Sequence, residues 1–511
     1  MATVLPNHTI RFKPSIIMAF IAGMLAPLGF APVHLPGFAI LSIAWLFVLI
    51  QQKNSKQSAI LGFFYGLGYF GLGVSWVFVS IHNYGHLNIF ISVVLTLLFV
   101  SYLSLFFVAT TSSYVWFRPK HSKLLRALSF SAIWCLGEFA RANFLGGFPW
   151  LTIGFSQMDT PIHYLFPILG IYAGSFAACL CATTLFFVFK SHGLKRILWI
   201  TGFTALLLAP TLLQNHSFTI LNKKPISVAA IQANLSMRDK WDQLLFWKLL
   251  DFYKLQIAKV IDNNQVVVLP ESAIPVPENY VNDYLNEMNE QAVQANTSIL
   301  LGIPRQTSNT TYYNSLLSLG NSYGSYNKIH LVPFGEYIPK PFKRITELLQ
   351  IPITDITAGL QNQALVHIHN IPVASLICYE LAYPNLLRTQ LPEAQLIVSI
   401  SDDGWFGRSF AIYQQLQMAQ ALSVLSERYQ IVANNDGLSS IIDNKGTIVS
   451  TLPAFTSGVL TGKIYPATGT TPWRLYGDIP VLLFAFLLLC ALIIKQLLTP
   501  FLKTSYKPIT S

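Results

Sequence analysis

The chain has 511 residues, of which 53% are hydrophobic and only 11% are charged, and its mean hydropathy is +0.49. This composition excludes an ordinary soluble globular protein and indicates a membrane protein. The formal net charge is +11, but the lysines and arginines are scattered over short loops, without the basic stripe that marks a nucleic-acid surface.

Eight apolar stretches are long enough to cross a bilayer, which takes about 20 mostly apolar residues. They cover residues 14–30, 36–51, 58–81, 88–116, 124–140, 162–189, 195–213 and 478–500. Prolines interrupt the first two, which form either one bent hairpin or two short spans. We expect eight spans, and we interpret the first as a retained span and not as a cleaved signal peptide.

Positive charge alternates between the loops that join these stretches. The loops 31–35 and 82–87 carry no lysine or arginine, and the loop 141–161 carries only Arg141. The other loops are basic, with Lys53, Lys56, Arg118, Lys120, Lys123, Arg126, Lys190, Lys195 and Arg196. Because cytoplasmic loops are enriched in lysine and arginine, this pattern predicts cytoplasmic termini and an outward-facing segment at about 214–477.

Three blocks follow from the hydropathy pattern. We predict a membrane bundle of about seven spans at 1–213, an extramembrane domain at 220–470 and a final span at 478–500. The middle block has about 250 residues, which is enough for one α/β domain with its own core.

Short β-branched runs alternate with helical patterns in the middle block, which favours sheets covered by helices. The predicted strands are Ser227–Gln232, Val266–Leu269, Ser298–Pro304, Ser315–Leu319, Ala364–Ile368, Val373–Cys378, Leu396–Ser401, Gln430–Ala433 and Ser440–Asp443. The predicted helices are Lys240–Ile261, Glu278–Ala295 and Phe410–Arg428. The first would carry a broad apolar stripe that includes Trp241 and Leu244.

Reactive side chains lie at the ends of three predicted strands, where functional groups collect in α/β sheets. Glu271 follows the run 266–270, Lys328 precedes an apolar run and is followed eight residues later by Glu336, and Cys378 ends the run 372–378. Cys378 is also the only one of five cysteines that lies outside an apolar stretch of membrane length.

A cysteine thiol is mostly protonated at neutral pH, so a nucleophilic cysteine needs a neighbouring base or cation. A carboxylate can take the thiol proton, and an ammonium can stabilise an oxyanion. Glu271, Lys328 and Cys378 together would therefore suffice for acyl transfer. Each residue alone has a simpler explanation: a buried apolar filler for the cysteine, and a surface ion pair for the other two.

Other site chemistries have weaker support in the sequence. His330, His367 and His369 alternate with apolar residues, and they remain an alternative source of a thiol partner. No spacing typical of metal ligands and no nucleotide-binding fingerprint is present, so we expect neither a metal nor another cofactor. Asp402 and Asp403 are interpreted as organising a loop.

The three motifs resemble those of the nitrilase (carbon–nitrogen hydrolase) superfamily, and their fusion to membrane spans resembles the bacterial apolipoprotein N-acyltransferase family. Further stretches are similar to that family over nearly the whole chain. They are Gly71–His82, Gly147–Trp150, Gln232–Leu235 with Trp241, Leu331–Glu336 and Asp403–Gly407. The resemblance implies an αββα sandwich for the middle block.

By this resemblance Glu271 would be the general base, Lys328 the cation that stabilises the oxyanion, and Cys378 the nucleophile. Glu336 would assist as a second carboxylate. The supporting or substrate-binding positions would be Tyr379, Glu380 and Trp241.

The resemblance also implies the reaction and the partners. Cys378 would take an acyl chain from a phospholipid such as phosphatidylethanolamine, and the resulting thioester would acylate the α-amino group of a diacylglyceryl-cysteine on an apolipoprotein. The enzyme would be a monomer in the bacterial inner membrane, in contact with membrane lipids, with its catalytic domain in the periplasm.

Two rival hypotheses stay open at this point. A membrane-tethered amidase would use the same triad with water as the acceptor, and a transporter would line a path with charged residues such as Glu138. The apolar segments Ile345–Ile353 and Ala411–Leu425 would form either lids or ordinary core. Val432 stands where the family often has arginine, which leaves a second basic contact near the site in doubt.

Overall fold

The computed structural model describes residues 12–85, 87–119, 122–308, 311–339, 344 and 356–504. The segment 345–353, a predicted lid, lies outside the described residues. By its internal contacts the chain divides into two compact units. The first contains the residues up to Ser75, Val93–Asn215 and the segment from Asp478 onward; the second contains Trp76–Ser92 and His216–Gly477.

The first unit is helical. Its long helices are Phe12–Leu25, Pro36–Ile50, Ser55–Gly73, Ile89–Phe117, Lys123–Asn143, Ile171–Phe189, Gly193–Leu208 and Ile479–Thr504. The first turn of Ile89–Phe117 lies in the segment 76–92, which belongs to the second unit. The predicted stretch 58–81 is therefore not one continuous helix. Its main helix ends at Gly73, and a short helix at Val77–Val79 and a π-turn at Ser80–Tyr84 follow.

Within the described residues, four helices are long and apolar enough to cross a membrane: Ile89–Phe117, Ile171–Phe189, Gly193–Leu213 and Ile479–Gln496. A fifth is added if Ser55–Gly73 and the short helix after it count as one bent span. The helix Pro36–Ile50 is apolar but shorter. Helices long and apolar enough to cross a membrane are thus part of the fold, whereas the number of spans stays a prediction.

Small residues bring the helices of this unit close together, as in many membrane bundles. A Cβ atom on Gly62 would lie 2.5 Å from the carbonyl oxygen of Phe107, and one on Gly68 would lie 2.1 Å from that of Phe20. The glycine-rich helix therefore packs backbone to backbone against two neighbours, which supports close packing over a lipid groove.

Two buried charged residues bind the loop that carries the Gly147–Trp150 motif. One carboxylate oxygen of Glu138 accepts a hydrogen bond from the backbone N–H of Ile153 at 2.9 Å. Arg141 donates to the carbonyl oxygen of Trp150 at 2.6 Å. Both side chains thus have local partners, which weakens the transporter hypothesis.

Among the described residues, the second unit contains three β-sheets. The strands are β1 (Thr219–Leu221), β2 (Ile226–Gln232), β3 (Val266–Val268), β4 (Ser298–Ser308), β5 (Thr311–Gly320), β6 (Ser322–Tyr323), β7 (Ser325–Asn327), β8 (Val366–Ile368), β9 (Ile371–Ile377), β10 (Leu396–Ser401), β11 (Gln430–Asn434), β12 (Ser440–Ile442), β13 (Ile448–Thr451), β14 (Gly458–Ile464) and β15 (Ala467–Gly469). One sheet has the order β14-β2-β3-β4-β5-β7, a second has the order β13-β12-β11-β10-β9-β8-β6, and β1 pairs with β15.

The two large sheets contact each other through β2 and β11 and through β5 and β9. On the outer face of one sheet lie the helices Phe246–Val260 and Asn282–Gln294, and on the other lie Pro384–Gln390 and Ala411–Ser426. This is the αββα sandwich that the resemblance implies. Strands β2, β3 and β4 run parallel, as do β9, β10 and β11.

Parallel strands present their carboxyl ends at the same edge of a sheet, where connecting loops leave the scaffold. Glu271 follows β3, Cys378 follows β9, and Asp402 follows β10. The buried, β-branched sequences of these strands thus deliver three polar side chains to strand ends.

One predicted helix in this unit is wrong in detail, and the structure decides between the two alternatives for another. The predicted helix 240–261 is broken: Met237–Lys240 and Phe246–Val260 are separate helices, and Trp241 and Leu244 between them are exposed instead of packed. The helix Ala411–Ser426 is buried along nearly all its length, so it packs in the core and is not a lid.

Candidate active site

Glu271 reaches the site from the loop after β3, where Pro270 ends the strand. Its carboxylate is 95% buried and accepts three hydrogen bonds. Oε1 accepts from Nδ2 of Asn314 at 2.7 Å and from Nζ of Lys328 at 3.2 Å, and Oε2 accepts from the backbone N–H of Asp402 at 3.1 Å. These donors fix the carboxylate in one orientation.

Lys328 follows β7 and is almost completely buried. Its Nζ lies 3.2 Å from Oε1 of Glu271 and 2.9 Å from Oε1 of Glu336. Burial alone would lower the pKa of Lys328, but the two carboxylates outweigh it and raise the pKa above its usual value. The side chain is therefore a permanent buried cation between two anions.

Glu336 completes this cluster from the loop that follows Lys328. Its Oε1 also accepts from Asn314 at 2.9 Å, and its Oε2 accepts from the backbone N–H of Val332 at 2.8 Å. The amide of Asn314 thus joins the two carboxylates that contact the lysine. Sequence reasoning missed this asparagine, because a single polar residue inside a strand has many explanations.

Cys378 is the first residue after β9, and it starts the turn Cys378–Ala382. Its backbone φ is +53°, a left-handed conformation that a non-glycine residue rarely adopts. Such strain is concentrated at functional sites. Nε2 of Gln415 lies 3.8 Å from the sulfur, within hydrogen-bond reach.

Electrostatics determine the resting state of this thiol. Burial raises the pKa of Cys378 well above its usual value, the charge of Glu271 raises it further, and Lys328 lowers it. The side chain is therefore a thiol at rest. A nucleophilic thiolate would have to form as the thiol reacts, with a nearby base taking its proton.

Glu380 connects the lysine loop to the cysteine strand. It is completely buried, and its Oε1 accepts from the backbone N–H groups of Ile329 at 2.7 Å and His330 at 3.0 Å, while Oε2 accepts from the N–H of Ile377 at 2.8 Å. The hydroxyl of Tyr326 donates to Oε1 at 3.0 Å. Glu380 is thus a structural bridge between the residues that flank Lys328 and Cys378.

The other predicted residues lie in different surroundings. Tyr379 is buried, and its hydroxyl accepts a hydrogen bond from Tyr383 at 3.1 Å. The ring of His330 packs on that of Tyr383, with 3.6 Å between centroids. The side chain of Trp241 is about half exposed. The structure brings Lys328 into direct contact with both Glu271 and Glu336, whereas Trp241 has no such contact among its described hydrogen bonds and ion pairs.

A second buried ion pair contacts the backbone of Glu271. Nζ of Lys240 contacts Oδ2 of Asp402 and donates to the backbone carbonyl oxygen of Glu271 at 2.7 Å. Sequence reasoning missed Lys240, because it was placed in a continuous helix where a lysine is ordinarily solvent-exposed. Asp402 organises a loop, as interpreted from the sequence, since its Oδ1 accepts from the N–H of Gly404 at 3.2 Å.

This arrangement provides a thiol, a carboxylate that can accept its proton, and a fixed cation, all removed from bulk water. Electrostatic interactions are stronger in such surroundings than in water. These are the requirements for a thiol that attacks an acyl carbon. Within the described residues no group of three His, Cys, Asp or Glu side chains could hold a metal ion.

Two protein families match separate parts of the chain. The family described as Apolipoprotein N-acyltransferase N-terminal domain matches residues 22–184, and the family described as Carbon-nitrogen hydrolase matches residues 227–473. The first match falls in the helical part, and the second covers the sandwich.

Curated relatives match over almost their full lengths. An apolipoprotein N-acyltransferase from Pseudomonas aeruginosa (strain LESB58) is 34% identical over 496 residues, which cover 95% of this chain and 96% of the relative. An enzyme of the same name from Coxiella burnetii (strain RSA 493 / Nine Mile phase I) is 34% identical over 480 residues, which cover 92% of this chain and 99% of the relative.

Among solved structures, an amidase from Nesterenkonia sp. matches 49% of this chain and 94% of its own length, with a TM-score of 0.35 and 15% identity.

Proposed function

The chain belongs to the apolipoprotein N-acyltransferase family, and from this premise we propose that Glu271, Lys328 and Cys378 catalyse its reaction. The protein is a membrane acyltransferase of lipoprotein maturation, acting on lipid and lipoprotein substrates. The finer assignments, namely the residues, the donor, the topology and the oligomeric state, are our proposal.

In the first half-reaction the thiol of Cys378 attacks the sn-1 ester carbonyl carbon of a phospholipid such as phosphatidylethanolamine. The thiol proton passes to Glu271 as the C–S bond forms, and Lys328 stabilises the oxyanion. Collapse of the tetrahedral intermediate breaks the ester C–O bond. The lysophospholipid leaves with the proton from Glu271, and a thioester remains on Cys378.

In the second half-reaction the α-amino group of a diacylglyceryl-cysteine attacks the thioester carbon. Glu271 takes a proton from the attacking amine and returns it to the departing sulfur of Cys378. The C–N bond forms, the C–S bond breaks, and the product is a triacylated lipoprotein. A buried site favours the amine over water as the acceptor, because it limits hydrolysis of the thioester.

One observation carries the proposal. The ammonium of Lys328 contacts the carboxylates of Glu271 and Glu336 inside the protein, at 3.2 Å and 2.9 Å, and its charge acts on the thiol of Cys378. Tyr379, Glu380 and Trp241 are proposed as supporting residues. The amidase alternative is not favoured, because relatives matched over both parts of the chain are N-acyltransferases.

We also propose how the enzyme lies in the membrane. The chain would cross the bacterial inner membrane eight times, with a bundle at 1–213, a periplasmic catalytic domain at 220–470 and a final span at 478–500. Both termini would be cytoplasmic, and the enzyme would act as a monomer. The support is the alternation of basic and neutral loops.

Mass spectrometry of the peptide that contains Cys378 tests the reaction. With phosphatidylethanolamine alone, we expect this peptide to gain the mass of one acyl chain, labile to hydroxylamine. Adding a diacylated lipopeptide should remove the adduct and transfer the same mass to the lipopeptide amine. Release of free fatty acid in place of acylated lipopeptide would instead identify an amidase-like enzyme.

Substitutions test the three roles. Cys378→Ala should abolish the adduct, whereas the matched control Cys490→Ala should keep it, since Cys490 lies in the last apolar helix. Glu271→Gln should slow acylation of the thiol by roughly 10²–10⁴-fold, the usual worth of a general base. An acyl adduct on any other cysteine of an active enzyme would contradict the assignment.

A further inference from the structure

The segment Trp76–Tyr84, here called the arm, has no role in the proposed reaction, although its sequence is part of the Gly71–His82 motif. It consists of the short helix Val77–Val79 and the π-turn Ser80–Tyr84, and it belongs to the same compact unit as the catalytic sandwich. Its polar and aromatic side chains contact one short piece of that sandwich.

That piece is the turn Asp402–Gly407, here called the 402 turn, which follows β10. Two of its backbone carbonyl oxygens accept hydrogen bonds from the arm. Oγ of Ser80 donates to Trp405 at 2.7 Å, and the hydroxyl of Tyr84 donates to Gly404 at 2.7 Å.

Apolar contacts continue the same interface. The rings of Trp76 and Phe406 lie edge to face with 4.7 Å between centroids, and those of Tyr84 and Trp405 lie 4.9 Å apart. Gly407 has φ +57°, and a Cβ atom there would lie 3.0 Å from Cγ1 of Val79. The arm thus contacts each of the four residues Gly404–Gly407, which leaves the turn little freedom.

The other end of the 402 turn contacts the proposed base. The backbone N–H of Asp402 donates to Oε2 of Glu271 at 3.1 Å. The side chain of Asp402 contacts Lys240, which in turn donates to the backbone carbonyl oxygen of Glu271. The position of the turn therefore affects the position of one carboxylate oxygen, Oε2 of Glu271.

We propose that the arm is a positioning element for catalysis, in which Ser80 and Tyr84 hold the 402 turn so that Asp402 orients the carboxylate of Glu271 toward the thiol. This inference rests on the proposed role of Glu271 as the base. The hydroxyl groups of Ser80 and Tyr84 act through the turn and touch no reacting atom. Small misplacements of a catalytic group lower the reaction rate strongly, so loss of both hydrogen bonds has a measurable cost.

The test is the rate of Cys378 acylation in full-length enzyme with phosphatidylethanolamine as donor. The double variant Ser80→Ala/Tyr84→Phe should lower the maximal acylation rate about tenfold, which corresponds to two hydrogen bonds of ordinary strength. The donor concentration at half-maximal rate should stay unchanged. Ser80→Thr/Tyr84→Phe, which keeps the hydroxyl group at position 80, should lose only about threefold, since one of the two hydrogen bonds remains.

Matched controls remove similar hydrogen bonds elsewhere in the same unit. Tyr284 donates to the carbonyl oxygen of Leu250 at 2.9 Å, and Ser318 donates to that of Gly324 at 2.6 Å. Tyr284→Phe/Ser318→Ala should keep the wild-type acylation rate. An equal loss of rate in this control would show that the arm variant acts only by lowering the stability of the protein, and it would overturn the proposal.

A double-mutant cycle separates this inference from the proposed function. In a Glu271→Gln background, the arm variant should cause no further loss, because there is no base left to position. A full additional tenfold loss in that background would overturn the inference and leave the role of Glu271 intact. A wild-type rate for Glu271→Gln itself would overturn both.

Discussion

At the scale of single residues, the buried carboxylate of Glu380 joins the segments that carry Lys328 and Cys378. Its four donors come from the segments on either side of the site, including Ile329 next to Lys328 and Ile377 next to Cys378. Burial raises the pKa of Glu380 to about 7, although the N–H groups of His330 and Ile377 partly oppose this. The bridge is therefore only partly ionised near neutral pH.

We predict that acylation of Cys378 weakens as Glu380 gains a proton below about pH 7. A protonated carboxyl presents an O–H group where backbone N–H groups need acceptors, so the lysine loop and the cysteine strand shift from the positions that suit catalysis. Glu380→Gln should lower the acylation rate at pH 8 and remove this acid dependence. The measurement is the initial acylation rate between pH 5.5 and 8.5.

The sign for stability is opposite to the sign for activity. The folded-state pKa of Glu380 lies above the usual 4.5, so its contribution to stability is fully present at low pH and is lost as the pH rises through about 7. The difference in unfolding temperature between the wild type and Glu380→Gln should therefore shift in favour of the wild type as the pH falls from 8 to 5.5. Parallel falls in activity and in relative stability on acidification would contradict this account.

Glu271, Lys328 and Cys378 could be selected from the sequence because each lies where an apolar strand pattern begins or ends. Asn314 and Gln415 could not, because they reach the site from inside a strand and a helix, where the pattern gives no sign of a polar function. Lys240 was missed for a related reason: its burial depends on a break in the helix that hydrophobic periodicity does not show. The catalytic roles themselves stay predictions.

At the scale of secondary structure, the close approach of β4 to the loop after β3 determines where Glu271 lies. Gly302 of β4 donates its N–H to the carbonyl oxygen of Pro270 at 3.2 Å. A Cβ atom at Gly302 would lie 2.5 Å from that oxygen and 2.6 Å from Cα of Glu271, and these backbone atoms have little room to move.

We predict that Gly302→Ala displaces Glu271 and slows acylation at least tenfold, with a loss of about 1–3 kcal/mol in the free energy of unfolding, as for other overpacked interiors. The control is Gly462→Ala in β14, where the new methyl group would meet only the end of the Ile441 side chain. Acylation kinetics and thermal unfolding of both variants provide the comparison. A wild-type rate in Gly302→Ala would show that the loop adapts without cost.

All nine strands predicted from the sequence are present, because each contains a short apolar run bounded by turn residues. Strands β1, β6, β7, β13, β14 and β15 were not predicted: all but β14 have only two to four residues, and glycine and threonine interrupt the apolar residues of β14. The helix break at Trp241–Leu245 was also missed, because exposed tryptophan and leucine there imitate the buried face of a helix.

At the scale of the whole molecule, the sequence predicts that membrane helices are present more securely than it predicts how many there are. Lys123–Asn143 contains four charged residues, including Glu138 and Arg141, so composition alone does not identify it as a span. The local partners of Glu138 and Arg141 show how a buried helix can keep such charges.

The proposed topology predicts which surfaces face the periplasm. Lys445 lies exposed in the turn between β12 and β13, and Gln52 lies exposed in the basic loop that should be cytoplasmic. In a Cys490→Ala background, a membrane-impermeant thiol reagent applied to intact spheroplasts should label Lys445→Cys. It should label Gln52→Cys only after the membrane is made permeable. The reverse pattern would invert the orientation.

The pairing of β1 with β15 has a consequence for how the two parts share one polypeptide. Thr219 lies opposite Gly469, so the first and last strands of this domain pair. Its two connections to the rest of the chain are therefore close together, as in an inserted domain. Glu427 reinforces this junction by accepting from the N–H of Phe218 at 2.8 Å. Lengthening or shortening the sandwich's outer loops then leaves the distance between its two connections unchanged, so these loops can vary without altering how the domain joins the rest of the chain.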